Sequence, residues 1–180
     1  MTQGNIEISE PVNVQNQKEI ISALGLSPPD RDERCPIQIA STGHSKLMVG
    51  IKSRDTLNKL QPDFMRLTNL SKNIGCNGYF VFTFDSDVKG ILTHGRMFAP
   101  AIGIPEDPVT GNANGPLGAY LVNNNLLEAP CGSVTFKGKQ GEAIGRPGIV
   151  TVTVEVKDGK PFKVQVCGDA TIAFKTEMEI

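Results

Sequence analysis

The chain has 180 residues, 39% of them hydrophobic, enough for one domain with a real core, with or without a short appendage. Its 18 basic and 19 acidic residues leave a formal net charge of −1, and no Lys or Arg run is long enough for a nucleic-acid or membrane footprint, so small-molecule chemistry is expected. Four scattered cysteines and two histidines give zinc little to build on. Without a signal-like start or an apolar run near the ~20 residues of a membrane span, a cytoplasmic protein with free thiols is expected.

In chain order, residues 6–8 alternate as a short strand ending at Pro11, and 15–24 read as an amphipathic helix closed by Gly25. Residues 27–32 form a loop. Residues 37–40 and 47–51 are strand candidates on either side of Ser41-Thr-Gly-His-Ser. Ser53 is placed to cap a helix over 55–60, and a second helix over 64–72 sets Phe64, Leu67 and Leu70 on one side. Residues 79–84 are the densest aromatic and β-branched run and read as a buried strand, with 91–98 as its neighbour. Residues 117–122 are apolar on nearly every side, so the helix that contains them belongs in the interior. Strands are expected at 133–136, 143–145, 149–156, 163–166 and 170–174, with a hairpin at Asp158-Gly159. Gly- and Pro-rich turns at these intervals predict a curved or closed sheet filled by the apolar helix.

The chemistry concentrates in Gly103-Ile-Pro-Glu-Asp-Pro-Val-Thr-Gly111-Asn-Ala-Asn-Gly115. Pro108 fixes its own φ and biases Asp107 away from helix, so Glu106 and Asp107 are expected on an ordered bend. Thr110, Gly111 and Asn112 supply capping chemistry, and the first-turn N–H groups behind them are unpaired donors at the positive end of a helix dipole. That combination makes an anion pocket beside an acid/base candidate. The plainer reading of the same residues is a surface turn with a capping carboxylate. The pattern is neither a P-loop nor a Rossmann fingerprint. Ser41-Thr42-Gly43-His44 either presents a hydroxyl or imidazole to a ligand or simply turns the chain. Arg96 either pairs with Glu106 or Asp107 or lies on the surface. His94 reads as a partly exposed strand residue, and Gln140-Gly141 as turn chemistry. Cys131 sits in a loop with no base beside it.

Gln38-Ile-Ala-Ser-Thr-Gly43, Arg96-Met-Phe-Ala-Pro100, the Gly103–Gly111 segment and Gly145-Arg-Pro147 together resemble the PhzF-like isomerase/epimerase family of phenazine biosynthesis. The resemblance runs over nearly the whole chain, and the Glu-Asp-Pro-Val-Thr-Gly block is its most specific part. It implies an α+β, diaminopimelate epimerase-like fold of two halves, each a curved, barrel-like mixed sheet around a buried helix, with the active site between them. Residues 109–121 would include the central helix of the second half. The family's proton shuttle is a glutamate of the first half, and its partner corresponds to Asp107. No residue here matches that glutamate, and Glu106 does not replace it. Asn112-Ala-Asn114 stands where members commonly carry Ser-Ala-His.

The resemblance thus implies residues 1–12 as the tail of a first half and 13–180 as a PhzF-like C-terminal domain. It further implies cofactor-independent proton transfer on a small carboxylate, with Asp107 catalytic and Thr110, Gly111 and Asn112 holding substrate. Glu106, Arg96, Thr42 and Gly43 would support them, without a metal. Competence is expected only with the N-terminal half, on the same or a separate polypeptide, and a homodimer is expected. The competing reading is a non-catalytic, anion-binding or self-assembling domain.

Overall fold

The computed structural model describes residues 1–172 and 174–177. Its elements are β1 (Glu7–Pro11), α1 (Val14–Ala23), β2 (Gln38–Ser41), β3 (Lys46–Ile51), α2 (Arg54–Lys59), α3 (Phe64–Ile74), β4 (Tyr79–Thr83) and β5 (Thr93–Ala99). They continue with β6 (Ile104–Asp107), α4 (Gly111–Asn123), β7 (Ser133–Gln140), β8 (Gly148–Lys157) and β9 (Lys160–Cys167). Local chemistry sets the outer helices. Asn13 and Asp63 accept hydrogen bonds from Asn16 N at 2.8 Å and Arg66 N at 3.0 Å, capping α1 and α3. Gly75, at φ 78°, closes α3 in the left-handed conformation that a Cβ would oppose.

The strands form one mixed sheet in the order β1-β2-β3-β4-β5-β7-β8-β9, with β6 added to β5. Most pairs are antiparallel, whereas β3–β4 and β5–β7 are parallel. The sheet curls around α4, whose residues 113–122 are all buried, including the apolar 117–122 expected in the interior. Leu117, Tyr120 and Leu121 meet Phe136, Val152, Val154 and Val164 in this inner core. Each large side chain so buried contributes ~1.5–3 kcal/mol. A second core lies on the sheet's outer face, where Ile20, Leu57 and Leu67 of the outer helices cover Leu47, Val49, Tyr79 and Phe98. Residues 1–4 join the two ends of the curl: Gln3 N donates to Val164 O of β9 and Gly4 N to Thr42 O beside β2, each at 2.9 Å.

Several sequence expectations need correction. Residues 143–145 form a turn, with Gly145 at φ 66°, because β7 continues to Gln140 and the chain must then reverse into β8. Of the strand expected at 170–174, residues 170–172 and 174 carry no strand and Ala173 lies outside the described residues. The bend expected at Glu106-Asp107 is the end of a four-residue strand, paired through Met97↔Asp107 and Ala99↔Ile104. Phe64 stays partly exposed, its ring 6.2 Å from that of Phe98. His94 is completely buried, bonded through one ring nitrogen to Glu142 and through the other to Ser86 at 3.0 Å.

Candidate active site

Neighbouring residues on a strand face opposite ways, and β6 uses this to separate its two carboxylates. Glu106 faces the outer layer. Arg96 of β5 donates to it through Nε at 2.9 Å and Nη2 at 2.7 Å, and through Nη1 to the carbonyls of Leu57 and Leu60 at 3.1 and 3.0 Å. This planar, two-pronged pair is buried on both sides and ties β6 to α2. Glu106 and Arg96 therefore form a closed structural pair, one of the alternatives open in the sequence.

Asp107 faces inward, on the side of Met97. Thr110 Oγ1 donates to its Oδ2 at 2.6 Å. Thr110 is the residue before α4, yet its hydroxyl turns back to Asp107 and does not cap the helix. Among the described residues, no protein acceptor meets the N–H groups of Gly111 and Asn112. The first turn of the buried helix thus presents free donors beside a carboxylate, with the helix dipole adding positive potential.

Gln140, 1% exposed at the end of β7, holds this turn together. Its Nε2 donates to Asp107 O at 2.6 Å and Thr110 Oγ1 at 3.1 Å, while its Oε1 accepts from Thr110 N at 3.2 Å and Asn114 Nδ2 at 3.0 Å. Asn114 Nδ2 also donates to Thr110 O. Close approach of β7 depends on Gly138, where a Cβ would stand 2.5 Å from Asn114 Oδ1. Gly141, at φ 83°, similarly leaves no room for a side chain against Arg146 O and Pro108 O.

A cavity of about 460 Å³ opens over this turn, lined by Asp107, Thr110 and Asn112 together with His44, Lys46 and Ile104 among others. Gly111 borders a second hollow of about 400 Å³ on its other side, against Gly148 and Val166. Burial pushes the Lys46 amine below the usual lysine range, opposed by the nearby Cys76 and Asp107. Thr42 is turned away from this cavity: its hydroxyl donates to Gln3 Oε1 at 3.0 Å, and Gly43 follows on the exposed β2–β3 turn. Of the sequence candidates, Asp107, Thr110, Gly111 and Asn112 come together, while Arg96, Glu106, Thr42 and Gly43 do not join them. Sequence reasoning passed over Gln140, which looked like turn chemistry, and Lys46. Asn114 alone left a signal, since it lies one helical turn after Thr110. Among the described residues, no three His, Cys, Asp or Glu side chains gather as metal ligands, and no helix is long and apolar enough to cross a membrane.

Residues 4–176 match the PhzC-PhzF family, described as phenazine biosynthesis-like protein. The chain is 54% identical over 178 residues to an uncharacterized isomerase of Clostridium acetobutylicum, covering 99% of this chain and 59% of that protein. It is 32% identical over 152 residues to the trans-2,3-dihydro-3-hydroxyanthranilate isomerase of Pseudomonas fluorescens, covering 84% of this chain and 49% of that one. The solved PhzF-family phenazine biosynthesis protein of Bacillus anthracis has the same fold, with a TM-score of 0.81 at 25% identity over 93% of this chain and 56% of its own. The chain thus spans about half to three-fifths of the length of these proteins. With the Asp107 turn and the buried helix both inside the matched region, the chain belongs to the phenazine biosynthesis-like PhzC-PhzF family, among relatives named as isomerases.

Proposed function

We propose that this chain supplies one wall of a cofactor-independent isomerase site that moves a proton on a small carboxylate substrate. Asp107 is the acid/base group of this wall, and the free N–H groups of Gly111 and Asn112 hold the charge that develops on the substrate as the proton leaves carbon. The observation that carries the reading is the carboxylate of Asp107, held by Thr110 at 2.6 Å, in one cavity with Asn112 at the unpaired start of a buried helix. A proton taken from one carbon must be returned to another, so a second acid/base group completes the cycle. We place it on a facing N-terminal half carrying the family's glutamate, on the same or a separate polypeptide. Exposed Ile102 and Ile104 beside the cavity, with exposed Val109 at the neighbouring hollow, supply an apolar rim suited to such a half. The reaction class follows the isomerase names of the relatives, and a hydroxyanthranilate-like acid is the model substrate drawn from one of them.

The test is deuterium incorporation from heavy water into small unsaturated carboxylates by the protein joined to that half. Asp107→Asn, which keeps the shape and the Thr110 contact, should leave folding intact and lower exchange by at least about a hundredfold. Undiminished exchange would remove Asp107 from the mechanism. The same apolar rim supports a second reading, an anion-binding domain that dimerises through this face. Sedimentation as a monomer, with no carboxylate bound, would leave that second reading without support.

A further inference from the structure

Lys46 opens β3 on the inner face of the sheet, in step with Met48 of the inner core. Only 4% of it is exposed. Its ammonium makes one hydrogen bond, to Ser45 O at 3.2 Å, and among the described residues no carboxylate stands within ion-pair distance. An ammonium carries three donors, and burying one with a single acceptor is costly unless another partner arrives. The side chain lines the cavity that holds Asp107, Thr110 and Asn112. Among the described residues, Lys46 and Asp107 thus line one cavity without forming an ion pair. Gly78, just before β4, packs beside its stem, where a Cβ would stand 3.3 Å from Lys46 Cδ.

We propose that Lys46 is the cation that receives the substrate's carboxylate and makes this cavity select an acid over its neutral counterparts, an inference that rests on the isomerase reading above. A carboxylate has about four lone-pair sites and accepts from the Lys46 ammonium and from the free N–H groups of Gly111 and Asn112 together. The helix start supplies direction and partial charge. Lys46 supplies the full charge, in a setting where little water competes for it.

The experiment titrates the 180-residue chain with anthranilate and with anthranilamide, its uncharged counterpart, and follows the Lys46 ammonium by nitrogen-15 NMR. Wild type should bind anthranilate saturably and in preference to the amide, with the Lys46 resonance shifting along the same isotherm. Lys46→Met, which keeps the length and apolar stem, should weaken anthranilate at least about tenfold and leave the amide unchanged. Lys46→Arg should restore most of the loss. The proposal is overturned if wild type shows no saturable anthranilate binding or no preference for it, or if folded Lys46→Met binds it as wild type does. Lys46-dependent binding without deuterium exchange in the joined protein would remove the isomerase reading and keep the anion site. Exchange undiminished in joined Lys46→Met protein would remove Lys46 and keep the isomerase reading.

Discussion

At the scale of single residues, the candidate site is a hydrogen-bond bracket with Gln140 at its centre. One amide side chain meets two acceptors and two donors around Asp107, Thr110 and Asn114. Buried polar groups cost little while every partner is present and much when one is removed, because the stranded groups have already lost their water. Gln140→Met keeps the volume but strands the Asn114 amide hydrogen and the Thr110 N–H. It should lower stability by about 1–3 kcal/mol in urea unfolding, whereas an exposed neighbour such as Lys137→Met should change it little. An unchanged unfolding midpoint would mean that solvent or Asn114 replaces the bracket. Asp107 and Thr110 were legible in the sequence because they lie in one short motif with a proline and a helix start. Gln140 was not, because its partners lie some thirty positions back, and only the β5–β7 pairing brings it to them.

At the scale of elements, α4 sets what the sheet must accommodate. Gly118 shows how tightly: a Cβ there would stand 2.7 Å from Val152 Cγ1 and 2.9 Å from Val154 Cγ2. Two effects oppose each other in Gly118→Ala. Helix propensity favours alanine by about 1 kcal/mol, while forcing a methyl into a filled core costs about 1–3 kcal/mol. Both valines sit on β8, a central strand held by β7 and β9, so neither backbone can withdraw and overpacking should win. The expected result is a net loss of up to about 2 kcal/mol by thermal or urea unfolding, and a gain would show that the valines rotate aside. The helix itself was readable from its sequence, since a segment apolar on every side has only the interior to occupy. The Asp158-Gly159 hairpin was equally readable, and both residues adopt the positive φ that its turn needs, 53° and 74°. By contrast, β6 spans four residues with Pro105 inside it and Pro108 directly after, too short for periodicity to register. The false strand at 143–145 arose the other way, from an apolar pair inside what the pairing of β7 with β8 makes a reversal.

At the scale of the whole molecule, the curl of the sheet is completed by its first few residues. Val166 N donates to Met1 O and Gln3 N to Val164 O, both at 2.9 Å, so the segment lies along the free side of β9 as a further strand would. Gly4 then crosses to Thr42, and β1 carries the connection onto β2 through Glu7↔Ser41 and Ile8↔Ala40. The same segment touches the helix, because a Cβ on Gly115 would stand 3.3 Å from Gln3 Cγ. Removing residues 1–5 would therefore bare the N–H and C=O row of β9 and uncover the first turns of α4 together. An open edge of that kind invites pairing with another chain. The truncated protein should lose amide-exchange protection first at Val166 while β3–β4, at the centre of the sheet, stays protected, and it should associate as its concentration rises. Hydrogen exchange by mass spectrometry reads the first effect and sedimentation the second. Unchanged exchange at Val166 would mean that the curl closes by the packing of α4 alone. The cavity would then owe its shape to the helix and not to the ends of the sheet. Selective loss at β9 instead ties the Asp107 turn to the chain's first residues, through the helix whose first turn lines the cavity at Asn112.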